Sequence, residues 1–347
     1  MLHRKQIKGV VVKEPGIVEI RDDILLPAMA DYDVLCKNLA GALCTGTDLS
    51  IILGKNNNIC YPTILGHESV GRVVAVGKKV SNFKIGDIVT SPRILNITDS
   101  KYHSNWGGLC EYGVASDYKK MADDGYEGCL EMYYCNQVVP EGINIADAVM
   151  SITWSEIYAY LDRIDLKAND QILILGSGSV ALSFLAMLRQ RNIQVCIVGN
   201  RRHLARFEQL DCSEFIDYAD CQATQRLRMK KKSFFDCIID AVGDKNSVEY
   251  YLETLKDKGK LCLYGLKDGK LYEYFKSKAN HRICLIDESY SVKNSYRKVF
   301  EMIRERKLCW EHWCDKTYEL ADIKKAIEDI KNKEVMKILF YFPVKKD

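Results

Sequence analysis

The stretch DQILILGSGSVALSFLAMLRQRNIQVCIVGNRR, residues 170–202, limits the fold more than any other part of the chain. An apolar run too short for a helix meets a glycine turn, an apolar segment of helical length follows, and a second short apolar run closes the unit. Two such strands joined by a helix must run parallel, because only a long crossover can return the chain to the same edge. Further strand-like runs, FFDCIIDAVG and KGKLCLYG, alternate with helical stretches. Residues from roughly 150 to 285 therefore read as a doubly wound parallel sheet of the α/β class.

The turn itself points to a ligand. Gly176, Ser177, Gly178, Ser179 and Val180 follow the strand QILIL directly and open the helix VALSFLAML. The first glycine permits a tight turn, and the second lets backbone approach a pyrophosphate at a helix N-terminus, where free N–H groups and peptide dipoles favour negative charge. Ala181 occupies the third small position. In a strand-turn-helix-strand setting this is a Rossmann dinucleotide site. The second strand ends in Gly199-Asn200-Arg201-Arg202, without the acid that bonds the ribose hydroxyls of NAD about 20 residues beyond the glycines. Asn200, Arg201 and Arg202 instead suit a 2′-phosphate. NADP is the expected cofactor, with NAD as the alternative; a solvated helix start is the plainer reading of the two arginines.

Before this unit the pattern differs. The first 90 residues carry short β segments, IKGVVVKEPG, DYDVLCKNLAGAL, SVGRVVAVG and IGDIVTSP, punctuated by Gly66, Gly71, Gly77 and Gly86, as in an irregular barrel-like β domain. Residues 95–135 show little periodicity and read as long loops, with Trp106, Tyr112, Tyr118 and Tyr126 as cleft walls or as loop packing. Asn144 is placed to cap the helix that starts NIADAVM. Two amphipathic helices, SYRKVFEMIRERK and LADIKKAIEDIKN, and the strand KILFYF close the chain.

Composition removes several classes. With 347 residues and 50 basic against 47 acidic side chains, the chain has no electrostatic footprint for nucleic acid, and its one basic cluster, Arg226 to Lys232, reads as a solvated helix end. No segment approaches the ~20 apolar residues of a membrane span, and no signal peptide is visible, so a cytoplasmic protein is expected. The 14 cysteines are scattered without CxxC pairs and read mostly as small buried thiols, not a disulfide framework or zinc clips.

The β domain holds a second chemical signal. Cys44 in GALCTGTDLS, and His67 beside Glu68 in LGHESVG, supply thiolate, imidazole and carboxylate, a ligand set suited to zinc. GHESVGRVVAVGKKV followed by FKIGDIV, the Cys44 loop with Thr47-Asp48, the turn at 176–181, DAVG and the closing ELADIKKAIEDI…KILFYF together resemble the medium-chain dehydrogenase/reductase family, the zinc-containing alcohol and polyol dehydrogenases. The resemblance implies a GroES-like domain over residues 1–148, a Rossmann domain over 149–288 and a return to the first domain over 289–347. It implies one catalytic zinc on Cys44 and His67, with Glu68 as an exchanging ligand, and a homodimer or homotetramer acting on a small-molecule substrate. Thr47 or Thr45 would relay the hydroxyl proton.

Three departures stand out. Cys44-Thr45-Gly46-Thr47-Asp48 is one residue longer than the usual Cys-x-Thr/Ser-Asp; Ser151 falls where relatives carry a further zinc ligand, with Glu156 an acid five residues later; and residues 90–135 lack the four cysteines of a structural zinc lobe, so no structural zinc is expected. The expected activity is hydride transfer between NADP(H) and a secondary alcohol or ketone of a small polyol, cyclitol or sugar derivative. A ketose-phosphate reductase, with Arg93, Lys101, Lys119 and Lys120 meeting phosphate, a zinc-free quinone or enoyl reductase, and a non-catalytic NADP-binding scaffold are the alternatives.

Overall fold

A computed structural model describes residues 5–56, 58–95, 101–265, 270–278, 283–286 and 290–342. The chain divides into two compact units, one formed by Met1–Ser155 with Ser291–Asp347 and the other by Glu156–Tyr290.

The second unit is a six-stranded sheet, Gln171–Leu175, Gln194–Gly199, Glu214–Asp217, Phe235–Asp240, Leu255–Leu263 and Ile283–Ile286. In space these strands follow the order third, second, first, fourth, fifth, sixth, and all neighbours are parallel. The order reverses beside Gln171–Leu175, so the crevice for a ligand opens at that strand's C-terminal end, where the glycine turn lies. Strands covered on both faces must be apolar throughout: Ile172, Leu173, Ile174 and Leu175 are all buried.

The first unit carries two sheets. One pairs Ile17–Leu25, Gln6–Glu14, Thr63–Ile64 and His103–Ser104 in that order. The other runs Cys314–Glu319, Lys337–Tyr341, Asp33–Leu43, Glu68–Val76, Ile88–Thr90, with Tyr112–Ser116 also paired to Asp33–Leu43. Helix Ile323–Lys331 buries Ile323, Ala326, Ile327 and Ile330, at helical spacing, in a core shared with Val10, Leu43, Leu65, Leu109 and Ile338. The end of the chain is thus part of the first unit's core and not an appendage. Asn144 caps helix Ile145–Arg163 as expected: its Oδ1 accepts the Asp147 N–H at 2.8 Å, and its Nδ2 donates to Asp147 Oδ2 at 2.5 Å.

The stretch expected as long loops contains regular structure, namely strand Tyr112–Ser116, helix Tyr118–Asp123 and the 3₁₀ turn Glu131–Tyr133; residues 96–100 lie outside the described residues. A buried side chain organises it. Asp117 accepts N–H groups from Ser81 (2.9 Å), Asn82 (2.8 Å) and Lys120 (3.1 Å), capping the short helix and anchoring the turn at 81–82. Tyr118 and Tyr134 pack edge to face at 5.1 Å, and Tyr32 against Tyr126 at 6.4 Å, so these tyrosines are loop packing. Seven of the 14 cysteines are buried, three are half-buried and four exposed, a smaller buried share than expected. The basic cluster sits in and after the last turn of helix Cys221–Lys230, with Arg228 paired to Glu253. Among the described residues no helix is long and apolar enough to cross a membrane.

Burial works against the Asp117 charge, but the N–H groups of Ser81, Asn82 and Lys120 outweigh it and hold the carboxyl below its usual range. A folded-state pKa below the unfolded value stabilises the fold above that unfolded value, ~3.9, and the contribution disappears as pH falls through the folded value. Asp117→Ala is expected to cost about 2–4 kcal/mol at pH 7, from the lost cap and several orphaned N–H groups, and markedly less near pH 3. Urea unfolding of both proteins at the two pH values checks this.

Candidate active site

Three neighbouring strands of the first unit bring the candidate residues to one level. Ile338 pairs with Leu43, and Ala42 with Glu68. One step further along each strand, Cys44 follows Leu43, Lys337 precedes Ile338 and His67 precedes Glu68. Gly66 makes this possible: its φ of +94° lies in the left-handed region, and a Cβ there would come 2.5 Å from Leu109 Cγ. No other residue turns the chain into the Glu68 strand at that point without strain.

One ligand atom each from Cys44, His67 and Glu68 lies within 4.8 Å of the others. Asp48, fully buried in the first turn of helix Thr47–Ile52, organises two of them. Its Oδ2 accepts the Cys44 N–H at 2.8 Å and its Oδ1 lies 3.2 Å from His67 Nδ1. With Nδ1 carrying the proton toward Asp48, Nε2 is left as the electron-pair donor, and it faces Glu68 Oε1 at 3.9 Å. Burial opposes a charged imidazole, but Asp48 and Cys44 outweigh it and shift His67 well above its usual range.

Glu68 is the most constrained member. Its side chain is 3% exposed, and its Oε2 is ion-paired with the Lys337 ammonium, itself 1% exposed. Thr153 donates its hydroxyl to Oε1 at 2.6 Å. Burial alone would raise the Glu68 carboxyl, yet Lys337, His67 and Thr153 bring it below its usual range. For Lys337 burial pulls down while Glu68 and Cys44 push up, and the net shift is upward. Both partners are thus held charged.

Ser151 is fully buried and its hydroxyl donates to Ala148 O at 2.7 Å, within its own helix. Thr153, two residues on, is the side chain that reaches the cluster. Glu156 belongs to the second unit. Thr47 starts the short helix, with Gly46 as its N-cap. Of the loop aromatics, Trp106 lies at the site: its ring is 5.5 Å from that of His67, tilted by 49°. The basic residues considered for phosphate are engaged locally. Arg93 donates to Met132 O and Cys135, Lys101 pairs with Asp23, and Lys120 with Asp124 at 2.6 Å; Lys119 is exposed.

In the second unit, Gly178 is the N-cap of helix Ser179–Arg189 and provides no side-chain cap, and a Cβ built on it would meet nothing within 4 Å. Open space in front of uncapped N–H groups is what a pyrophosphate requires. The Ser177 hydroxyl accepts the Asn200 N–H at 2.8 Å, tying the turn to the end of the second strand. Asn200 also caps the turn Arg201–His203 and donates to Tyr218 Oη at 3.0 Å; Arg201 and Arg202 are exposed.

Asp48, Thr153 and Lys337 were not singled out as site residues from the sequence. Asp48 could have been found, since an acid one helical turn after a candidate metal-ligating cysteine is placed to orient neighbours. Lys337 and Thr153 carry no local signal, because only the strand register and the fold bring them to Glu68.

Residues 30–137 match the family described as "Alcohol dehydrogenase GroES-like domain", and residues 178–305 match "Zinc-binding dehydrogenase". The chain is 25% identical to D-arabitol-phosphate dehydrogenase of Enterococcus avium over 78% of each chain. It is 24% identical to sorbitol dehydrogenase of Bombyx mori over 96% of this chain and 95% of that one. The crystal structure of benzyl alcohol dehydrogenase from Acinetobacter calcoaceticus shares the fold, with a TM-score of 0.78 at 16% identity over 98% of this chain and all of that one.

A buried ion pair is costly to break but cheap to replace whole. Lys337→Met alone and Glu68→Gln alone are each expected to destabilise the metal-free protein by about 3–5 kcal/mol, and the double variant by much less than their sum. A denaturant double-mutant cycle measures the difference.

Proposed function

The chain belongs to the zinc-containing medium-chain dehydrogenase/reductase family and is an alcohol or polyol oxidoreductase, and from that membership we propose that it uses one zinc ion and prefers NADP(H). The substrate would be a secondary alcohol, or the corresponding ketone, of a small polyol, cyclitol or sugar derivative. The observation that carries the metal reading is the meeting of Cys44, His67 and Glu68 donor atoms, with Asp48 fixing the histidine tautomer. When bound, zinc supplies a Lewis acid that favours the alkoxide of an alcohol substrate.

The protein's own residues would divide the work as follows. Cys44 and His67 bind the ion, and Glu68 offers a carboxylate oxygen beside it. Thr47, with Thr45 as its neighbour on the lengthened loop, passes the substrate's hydroxyl proton outward, since a hydroxyl both donates and accepts. Gly176, Ser177, Gly178, Ser179 and Val180 hold the pyrophosphate. Asn200 shapes the end of the second strand, and Arg201 and Arg202 recognise the 2′-phosphate. A phosphorylated polyol is the second reading, favoured by the similarity to a D-arabitol-phosphate dehydrogenase. The local partners of Arg93, Lys101 and Lys120 argue against those side chains as its phosphate site. A homodimer or homotetramer is proposed from the family resemblance, to be checked by light scattering.

Metal analysis of the purified protein, together with a screen of polyols, polyol phosphates and their ketones under both cofactors, tests the reading. One zinc per chain is expected, and Cys44→Ser or His67→Ala should remove it and lower kcat by about a thousandfold or more. The pair Arg201→Ala/Arg202→Ala should lower kcat/KM for NADPH by about 10- to 100-fold while sparing NADH. Turnover without zinc on conjugated carbonyls would give the protein to the zinc-free reductases instead. Cofactor binding without any turnover would make it a scaffold, and a preference for NAD would end the NADP assignment.

A further inference from the structure

A lysine with almost no exposed surface, at the level of three candidate metal donors, calls for an explanation, since a cation there repels a second one. Lys337 sits on the strand next to Cys44 and is paired with Glu68 Oε2. The other oxygen, Oε1, faces His67 Nε2 at 3.9 Å and accepts from Thr153 at 2.6 Å. A carboxylate oxygen has electron pairs enough for both the Thr153 hydroxyl and a metal ion. Ser151, where the family resemblance would put a further ligand, gives its hydroxyl to Ala148 O and offers no anion. Glu68 is then the one carboxylate of the donor set, with Oε2 on Lys337 and Oε1 toward His67.

We propose that Lys337 is a positioning residue that shares Glu68 with the metal: it holds Oε2 on its ammonium, presents Oε1 to the ion, and so keeps Glu68 a one-oxygen, exchangeable third ligand. This rests on the zinc reading above. The sign of the effect separates it from a merely structural role. Two cations compete for one carboxylate, so removing the lysine leaves Glu68 wholly to the metal and strengthens the metal's hold. A lysine that only braced the fold would, when removed, loosen the site and let the metal go faster.

The test loads full-length wild type, Lys337→Met, Lys337→Arg and Glu68→Gln with zinc and follows release to a chromogenic chelator, alongside the thermal shift produced by zinc. Lys337→Met is expected to release zinc at least about tenfold more slowly than wild type, Lys337→Arg to stay within about threefold, and Glu68→Gln to release it faster. Zinc should also raise the melting temperature of Lys337→Met more than that of wild type, because the ion takes over as partner of the buried carboxylate. Release from Lys337→Met at the wild-type rate or faster overturns the proposal. If Lys337→Met folds only in the presence of zinc, the proposal is supported; if it does not fold even then, Lys337→Gln is judged by the same criterion. A wild type that binds no zinc defeats the metal reading itself, whereas zinc held by Cys44 and His67 but indifferent to Lys337 defeats this inference alone.

Discussion

A carboxylate removed from water must be given a cation and hydrogen bonds, and the need to satisfy Glu68 is the constraint around which the first unit is arranged. Its partners come from far along the chain: Lys337 from the last strand and Thr153 from the helix that begins at Ile145. Neither contact is local, so the carboxylate is satisfied only when the end of the chain has added its strand beside Asp33–Leu43. That strand arrives behind a helix whose apolar face completes the core over Leu43 and Val10. Core packing and the polar cluster thus depend on the same long-range docking.

The second unit meets a different requirement, a backbone path that leaves N–H groups unused. Most buried helix starts are capped by a side chain, because orphaned donors are costly. Asp220 and Asp244 cap the starts of helices Cys221–Lys230 and Lys245–Tyr251 in this way. Helix Ser179–Arg189 has Gly178 instead and no side-chain cap. On the proposed reading, this open turn is the one that receives the cofactor's pyrophosphate. Ser177 meanwhile spends its hydroxyl on the neighbouring strand end, so the open turn is braced from the side.

Features repeated over many residues were legible in the sequence. The strand-turn-helix-strand unit, the two closing amphipathic helices and the Asn144 cap each announce themselves through spacing or a single well-placed side chain. Cys44 and His67 were legible through ligand chemistry and motif. Lys337 was not: in VMKILFYF it reads as the polar residue that starts an edge strand, and only the pairing of Lys337–Tyr341 between two other strands buries it. Residues 101–135 misled for the opposite reason. Asp117 ties them down by collecting the distant N–H groups of Ser81 and Asn82 as well as that of Lys120, and such a hub leaves no periodic trace.

Charge balance links the unusual residues of the site. With Cys44 as thiolate, Glu68 and Asp48 supply two further negative charges, and Lys337 supplies one positive charge. The sum is what a divalent cation neutralises, leaving a buried cluster with no net charge to desolvate. An acid at position 151 would leave an uncompensated anion in a helix interior, where Ser151 and its neighbours are fully enclosed. Serine there and lysine at 337 are consistent with each other on this reading. The cluster would tolerate a neutral residue at 151 because Glu68 remains in place, and a buried lysine because Cys44 and Glu68, with Asp48 behind His67, supply the opposing negative charge.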